Sequence, residues 1–255
     1  MKSIQKILMV LFLLLYSSSI IYASDNTKQL NKIKTVSPVP SAILMNAYRY
    51  LGTLKHFSVD AVTDNDDYLQ NKILVTFSHN IHIDLQRPSK LYIDVEGDLK
   101  SRSYYLNSGD FTAYDKDLNY YGKLNTPKNI DDALDYLFEK YDIKTALANI
   151  LYSDLDKRTP PKNKGFYFGI SEVNSIKCHH IAFAYDNQEM QLWIEVGNKP
   201  LIHKFSIVDK SETSFPRSTT TLKWSVETKP NMKFFIFDVA KKAIQINIQS
   251  NSEEN

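Results

Sequence analysis

The chain has a single cysteine, Cys178, and only 7 glycines among its 255 residues. One thiol excludes an internal disulfide, so stability has to come from an ordinary apolar core. There is no Gly-rich phosphate loop, no Gly-x-Ser-x-Gly elbow and no His-Glu-x-x-His pair, which removes the commonest signatures of nucleotide, acyl-hydrolase and zinc-protease chemistry. Neither charge sign is in real excess. Lys and Arg number 31 against 29 Asp and Glu, and Lys2 and Lys6 account for the difference. With no basic stripe to neutralise phosphates, nucleic acid is not an expected partner. No apolar run approaches the roughly 20 residues that cross a bilayer comfortably.

What the N-terminus does have is Lys2 and Lys6 ahead of an apolar run, Ile7 to Tyr16, then Ser17-Ser18-Ser19 and a small-residue junction at Ala23-Ser24. That is the layout of a secretory signal peptide, residues 1–23, cleaved near Ala23. An uncleaved N-terminal anchor is the alternative. No cysteine adjoins the junction, so the expected product is a soluble exported protein without a lipid of its own or a stable membrane span. Export to the periplasm makes ATP-driven or nicotinamide-driven work, and genomic DNA, unexpected.

Residues 24–40 are polar and close on Pro38 and Pro40, which reads as a flexible leader. From Ala42 to about Lys55, Ile43, Ala47, Tyr50, Leu51 and Leu54 form one helical stripe, with Ser41 able to cap it. The period then changes to two. Phe57, Val59 and Ala61 begin an alternation that Ile73 to Phe77, Ile81 to Leu85 and Leu91 to Val95 continue, the mark of an antiparallel meander. Short strands follow around Asn107-Ser108-Gly109 and Asp115-Lys116-Asp117. The meander breaks at Asn129, which caps a helix whose stripe is Ile130, Leu134, Leu137, Phe138 and Tyr141; a second short helix is predicted over Thr145 to Tyr152. Strands resume over 166–173, 178–185, 190–196, 201–208, 219–226 and 234–237, and 249–255 reads as a disordered tail.

Tyr (16) and Phe (13) are abundant, in keeping with so much half-buried sheet. The expected fold is therefore mainly β within an α+β layout: a single domain over 41–248, with about ten or eleven antiparallel strands in a strongly curved sheet or half-open barrel. A sheet that wide must curl, and its apolar concave face must be covered; the helices supply a lid.

The order of Arg87-Pro88-Ser89-Lys90-Leu91, Gly97-Asp98, the Asn129 to Asp135 helix start and Ala148 to Asp154 is followed by a second half. There stand Val173 to Phe183 with Cys178-His179-His180, Gln191 to Glu195 and Pro200 to Lys204. Together these resemble a family of predicted periplasmic proteins of unknown function from Gram-negative bacteria. That family falls in the superfamily of the lipoprotein carriers LolA and LolB and of mycobacterial lipid-binding lipoproteins. The likeness spans residues 40 to 248 or so. It implies a half-open β-barrel with a helical lid and an apolar cavity that accepts acyl chains. Ile202 stands where the family usually has a second proline, Met190 where it has an aromatic, and Ser108-Gly109 where it has an Asp-Gly turn; none of these touches chemistry.

Within that frame the expected ligand wall is Phe57, Val59, Ile81, Ile83, Leu91 and Ile93, and the expected lid contacts are Leu134, Leu137, Phe138, Leu147 and Leu151. The opposite strand phase would line the cavity with the other alternation. The ligand would be a lipid or the lipid anchor of an acylated protein; a periplasmic protein partner on the same concave surface is the alternative. No catalytic residue, metal or cofactor is expected. Cys178 and His180 share a strand face while His179 points away, so at most two ligands converge unless His203, His79 or His82 joins them, whereas zinc takes four, or three and a water. A Cys/His catalytic pair would also need an orienting group and an oxyanion hole. Asp131, Asp132, Asp135 and Glu139 fit surface charge complementing a helix dipole. Tyr104, Tyr105, Phe111, Tyr114, Tyr120 and Tyr121 either pack both sheet faces or line the cavity rim.

Overall fold

The computed structural model describes residues 38–69, 73–212 and 214–251. The expected signal peptide, nearly all of the leader and the last four residues of the tail lie outside them. Helix α1 (Pro40–Thr53) precedes strands β1 (His56–Leu69), β2 (Ile73–Gln86), β3 (Lys90–Gly97), β4 (Ser101–Asn107), β5 (Asp110–Asp115) and β6 (Tyr120–Asn125). Helices α2 (Ile130–Tyr141) and α3 (Leu155–Arg158) then interrupt, with a 3₁₀ turn at Ala148–Ile150 between them. Strands β7 (Phe166–Val173), β8 (Ile176–Ala184), β9 (Gln188–Glu195), β10 (Ile202–Asp209) and β11 (Arg217–Ser225) follow, and β12 (Ile244–Gln245) comes last.

These strands form one 12-stranded sheet in the order β12-β6-β5-β4-β3-β2-β1-β11-β10-β9-β8-β7. Every pairing is antiparallel except β12 with β6. The mainly β, strongly curved antiparallel sheet is thus as expected, with Ile73 to Leu85 running as one strand rather than two. Two meanders meet at β1–β11, so β6 and β7 stand at opposite sides of the sheet. The segment joining them, which carries α2 and α3, has to cross the sheet, and it crosses the apolar face. Register shifts at Ile202/Lys204 and at Tyr167/Gly169 mark bulges in β10 and β7, where an unpaired residue bends the strand.

Helix α1 starts at Pro40, whose fixed φ and missing N–H suit a first turn, rather than at a Ser41 cap. Its buried stripe is Leu44, Ala47, Tyr48 and Leu51, rotated from the expected one so that Ile43, Tyr50 and Leu54 flank the core. In α2, Asn129 accepts a 2.8 Å bond from the Asp132 amide, and Asp131 and Asp132 occupy the positive first turn. Its buried stripe is Ile130, Ala133, Leu134 and Leu137.

Three local expectations fail. The helix over Thr145 to Tyr152 shrinks to the 3₁₀ turn because Leu147 sits at φ 55, a left-handed position that ends helical propagation. Phe138 is 51% exposed: α2 centres its stripe between residues 133 and 137, so the next position turns to the flank, where Lys144 Nζ lies 5.5 Å from the ring centre. The strand expected over 234–237 is instead a 3₁₀ turn, Met232–Phe235, begun by Asn231 accepting from the Lys233 amide at 3.1 Å.

That last segment straps the convex face. Phe234 stacks on Tyr92 (5.9 Å between centres), and Phe237 meets Tyr105, Tyr114 and Tyr121 at 5.2, 5.6 and 5.2 Å. The aromatic wealth therefore divides: Tyr104 and Phe111 face inward with the core, while Tyr105, Tyr114 and Tyr121 make the bed for the strap. Phe235, between the two contact points, is 1% exposed. Phe235→Ala is expected to cost about 3–5 kcal/mol, read as a lower urea midpoint with an unchanged slope; a shift of a few tenths would show the strap to be ornamental.

Candidate functional site

Register partners in an antiparallel sheet share a face, and two apolar rows run across the inner one. The first is Phe57–Leu85–Leu91–Leu106–Phe111–Leu124 over β1 to β6. The second is Trp224–Val59–Ile83–Ile93–Tyr104–Ala113–Gly122, from β11 through β6. The expected wall residues Phe57, Val59, Ile81, Ile83, Leu91 and Ile93 are all buried on this one face, together with Leu134, Leu137 and Leu151 from the covering segment. Leu147 packs at the margin of that cluster and Phe138 stands outside it.

The sheet and its helical cover meet closely. Between Leu91, Leu106 and Phe111 below and Leu134 and Leu137 above there is a gap of about 10 Å³. That is room for one water at most. Tyr104, Tyr105 and Thr145 complete its lining, and the Thr145 hydroxyl is buried without a hydrogen-bond partner. An unpaired buried hydroxyl costs free energy, so this spot is one of the less satisfied parts of the core. Beyond Tyr104 lies an open pocket of about 480 Å³ between the β4–β6 end of the sheet and Asp142–Lys144.

The cover is fastened unevenly. Pro88 O accepts from the Ile130 amide at 2.8 Å; Arg87, largely buried, donates Nε–H to Leu54 O at 3.1 Å and holds Asp131 at 3.7 Å. Asp131 also accepts from the Ser153 amide (3.1 Å), and Asp135 accepts from Tyr152 Oη and Arg158 Nη1, both at 2.9 Å. These ties gather in Ile130–Asp135. The other end of α2 runs into Asp142, which is left-handed at φ 49. Arg87 and the Ser153 tie escaped sequence reasoning, since only the register of β2 against α1 and α2 brings them together. Asp131 and Asp132 do stand in the positive first turn, and Asp131 and Asp135 also tie α2 to its neighbours.

The polar clusters lie on the outer face. Cys178 is opposite Glu195 and His180 opposite Trp193, as their shared strand face requires, and His203 Nε2 sits 3.0 Å from Glu195 Oε2. His179 turns inward to Tyr167 Oη at 3.1 Å, and His180 stacks on Trp193 at 4.3 Å. Burial, aided by Glu195, pushes the Cys178 thiol up to about 11, the opposite of what a nucleophile needs. Among the described residues, no three His, Cys, Asp or Glu side chains converge to hold a metal ion. His82 lies between Asp60 (Nδ1, 2.7 Å) and Asp84 (Nε2, 3.2 Å). The hydrogen bond to Asp84 chiefly lifts its imidazole from 6.5 to about 9, against the pull of burial.

An open antiparallel sheet whose apolar inner face is shut by a crossing helical segment defines a closed half-barrel. The chain belongs to the family described as predicted periplasmic protein (DUF2092), which matches residues 41–249. Among solved structures it is similar to LprF from Mycobacterium bovis, at 13% identity and a TM-score of 0.45, over 76% of this chain and 99% of that one. It is also similar to an uncharacterized conserved protein from Thermus thermophilus (8%, 0.44, over 81% and 97%). A LolA superfamily protein from Nitrosomonas europaea matches at 10% and 0.34, over 79% and 99%. No curated protein matches. Among the described residues, no helix is long and apolar enough to cross a membrane.

Two measurements check the outer face. A Cys178 buried and held protonated should resist a thiol reagent in the native protein and react fully in denaturant; fast native labelling would contradict its burial. For His82, the folded-state value lies above the unfolded one, so its contribution is complete below about pH 6.5 and is lost as pH rises through about 9. The urea-midpoint gap between wild type and His82→Gln should therefore narrow across that window, and a gap independent of pH would show the two carboxylates to be idle.

Proposed function

We propose that this protein is a non-enzymatic periplasmic binding protein that shelters an acyl chain, or the lipid anchor of a lipoprotein, between the inner face of the sheet and α2. The observation that carries the reading is the combination at the narrow gap: two apolar rows, a cover whose polar ties gather in Ile130–Asp135, and a buried Thr145 hydroxyl with no partner. The motif resemblance to lipoprotein carriers and the family's periplasmic description agree with it.

The mechanism follows from the fastenings. The ties at Ile130–Asp135 act as a hinge, and the Leu137 end of α2 is held against the sheet by apolar packing. Lifting that end exposes Leu91, Leu106 and Phe111 and leaves Thr145 facing the opening. Each methylene of an entering chain replaces lost packing at about 0.8 kcal/mol, so a chain of ordinary length can hold open a cover that closes by itself when empty. Binding of this kind is reversible, as a handover requires. A protein partner on the same surface is the less economical reading, because α1, α2 and the 3₁₀ turn already cover it.

Purification from native periplasm, solvent extraction and mass spectrometry should recover an acylated species in stoichiometric amount. A protein that is empty, and stays empty after incubation with phospholipid and acylated peptide, would remove the carrier reading. Leu137→Asp places a carboxylate in the packed end of the cover, which is expected to abolish uptake while the far-ultraviolet strand signal persists. Uptake at the wild-type level by that variant would sink the assignment of α2 as the lid.

A further inference from the structure

If the protein shelters an acyl chain, the chain has to enter somewhere, and the second apolar row has an unusual end. Tyr104, Ala113 and Gly122 are register partners on β4, β5 and β6, so the row runs from a ring to a methyl to no side chain at all. The space is used. A Cβ at Gly122 would come within 2.5 Å of Ile248 Cγ1, so Ile248 occupies the slot that Gly122 leaves vacant and packs against the core from there. The sheet's own strands do not fill this place; a side chain from beyond β12 does.

The segment that delivers Ile248 is held by a short ladder and by two side-chain bonds, Asn119 Nδ2 donating to Lys241 O at 3.3 Å and Tyr121 Oη to Gln245 Oε1 at 3.2 Å. Its ladder is the two-residue β12, with the Ile244 amide donating to Asn119 O at 3.0 Å and the Ile246 amide to Tyr121 O at 2.8 Å. The side chains of Ile244 and Ile246 are half exposed and add little anchorage. Around Ile248 is the open pocket of about 480 Å³, and Tyr104 lines both that pocket and the narrow gap beneath Leu134 and Leu137. The slot and the pocket share Tyr104, Ala113 and Gly122, and the pocket and the gap share Tyr104.

We propose that the Tyr104–Ala113–Gly122 slot is the entry site for a single acyl chain, and that Ile248 is a displaceable plug standing in for it. The slot is apolar and one side chain wide, which suits a methylene chain and rejects a ring or a peptide. Ile248 fills it as a short aliphatic branch would. An entering chain takes the place of Ile248 in the slot, the two-residue ladder opens, and the chain passes Tyr104 into the space that α2 vacates. Asp142 and Leu147, both left-handed, bracket the wall that has to yield.

The inference rests on the carrier reading, and one titration separates the two. With cis-parinaric acid as a fluorescent probe, Ile248→Ser should bind about fivefold more tightly than wild type, because a half-buried isoleucine no longer competes. Ala113→Phe, which fills the slot, should lose binding in either background, with its unfolding midpoint checked to confirm that it folds. The Ile246 amide should lose protection from hydrogen exchange in wild type when the probe is added. Equal affinities for wild type and Ile248→Ser, with the Ile246 amide still protected in the complex, would overturn the plug while leaving the carrier reading intact. Failure of both wild type and Ile248→Ser to take up the probe would end both.

Discussion

Everything on the inner face depends on one topological constraint. The two meanders join at β1–β11, which puts β6 and β7 at opposite sides of the sheet, so the chain between them must traverse its full width. The traverse has to lie on a face that is apolar almost without interruption, because exposing two rows of Phe, Leu, Ile and Val to water would cost far more than the net stability of a domain. A segment in that position can be amphipathic and short-helical without being a rigid element. It needs only enough apolar side chains to seal the sheet, and enough polar ties to fix where it starts.

That division of labour explains which features were legible from residues alone. The period of two in β1 to β3 left two phases open, and it is the packing of the covering segment that puts Phe57, Val59, Ile81, Ile83, Leu91 and Ile93 inward. The start of α2 was legible for a local reason: Asn129 and the following acids satisfy and complement a helix N-terminus whatever lies around them. The traverse after α2 was not. Leu147 has the composition of a helix and adopts a left-handed conformation because the chain must turn there to reach α3, and no local signal encodes that turn. Phe138 was misplaced for a subtler reason, as the stripe of α2 uses Ala133, a residue that looks neutral in sequence but lets the helix sit close to the sheet.

The outer face illustrates a second limit. Cys178, His180 and His203 look reactive in a line of text, yet their partners on neighbouring strands are Glu195 and Trp193. Register converts them into a buried thiol, a stacked ring and an imidazole in hydrogen-bond contact with a carboxylate. The fate of Tyr105, Tyr114 and Tyr121 likewise depended on a strap more than a hundred residues further on, whose Phe237 finds all three at once. Contacts of that sequence separation are invisible to any reading based on periodicity, and the strap itself has the aromatic composition of a strand without forming one.

The two ends of the sheet are finished in different ways. At the β6 end the two-residue β12 pairs with Tyr120 and Tyr121, so the start of that border is covered. At the β7 end no described strand pairs with the outer side, and Phe166, Phe168 and Ile170 are exposed along it, the composition of a strand that invites another to pair. The bulge at Tyr167/Gly169, with Gly169 at φ 102, breaks the spacing of outward-facing amides midway along β7. A second strand laid against Phe166 would lose step before it reached Val173. A kink of this kind disfavours continuous edge-to-edge pairing along an apolar border.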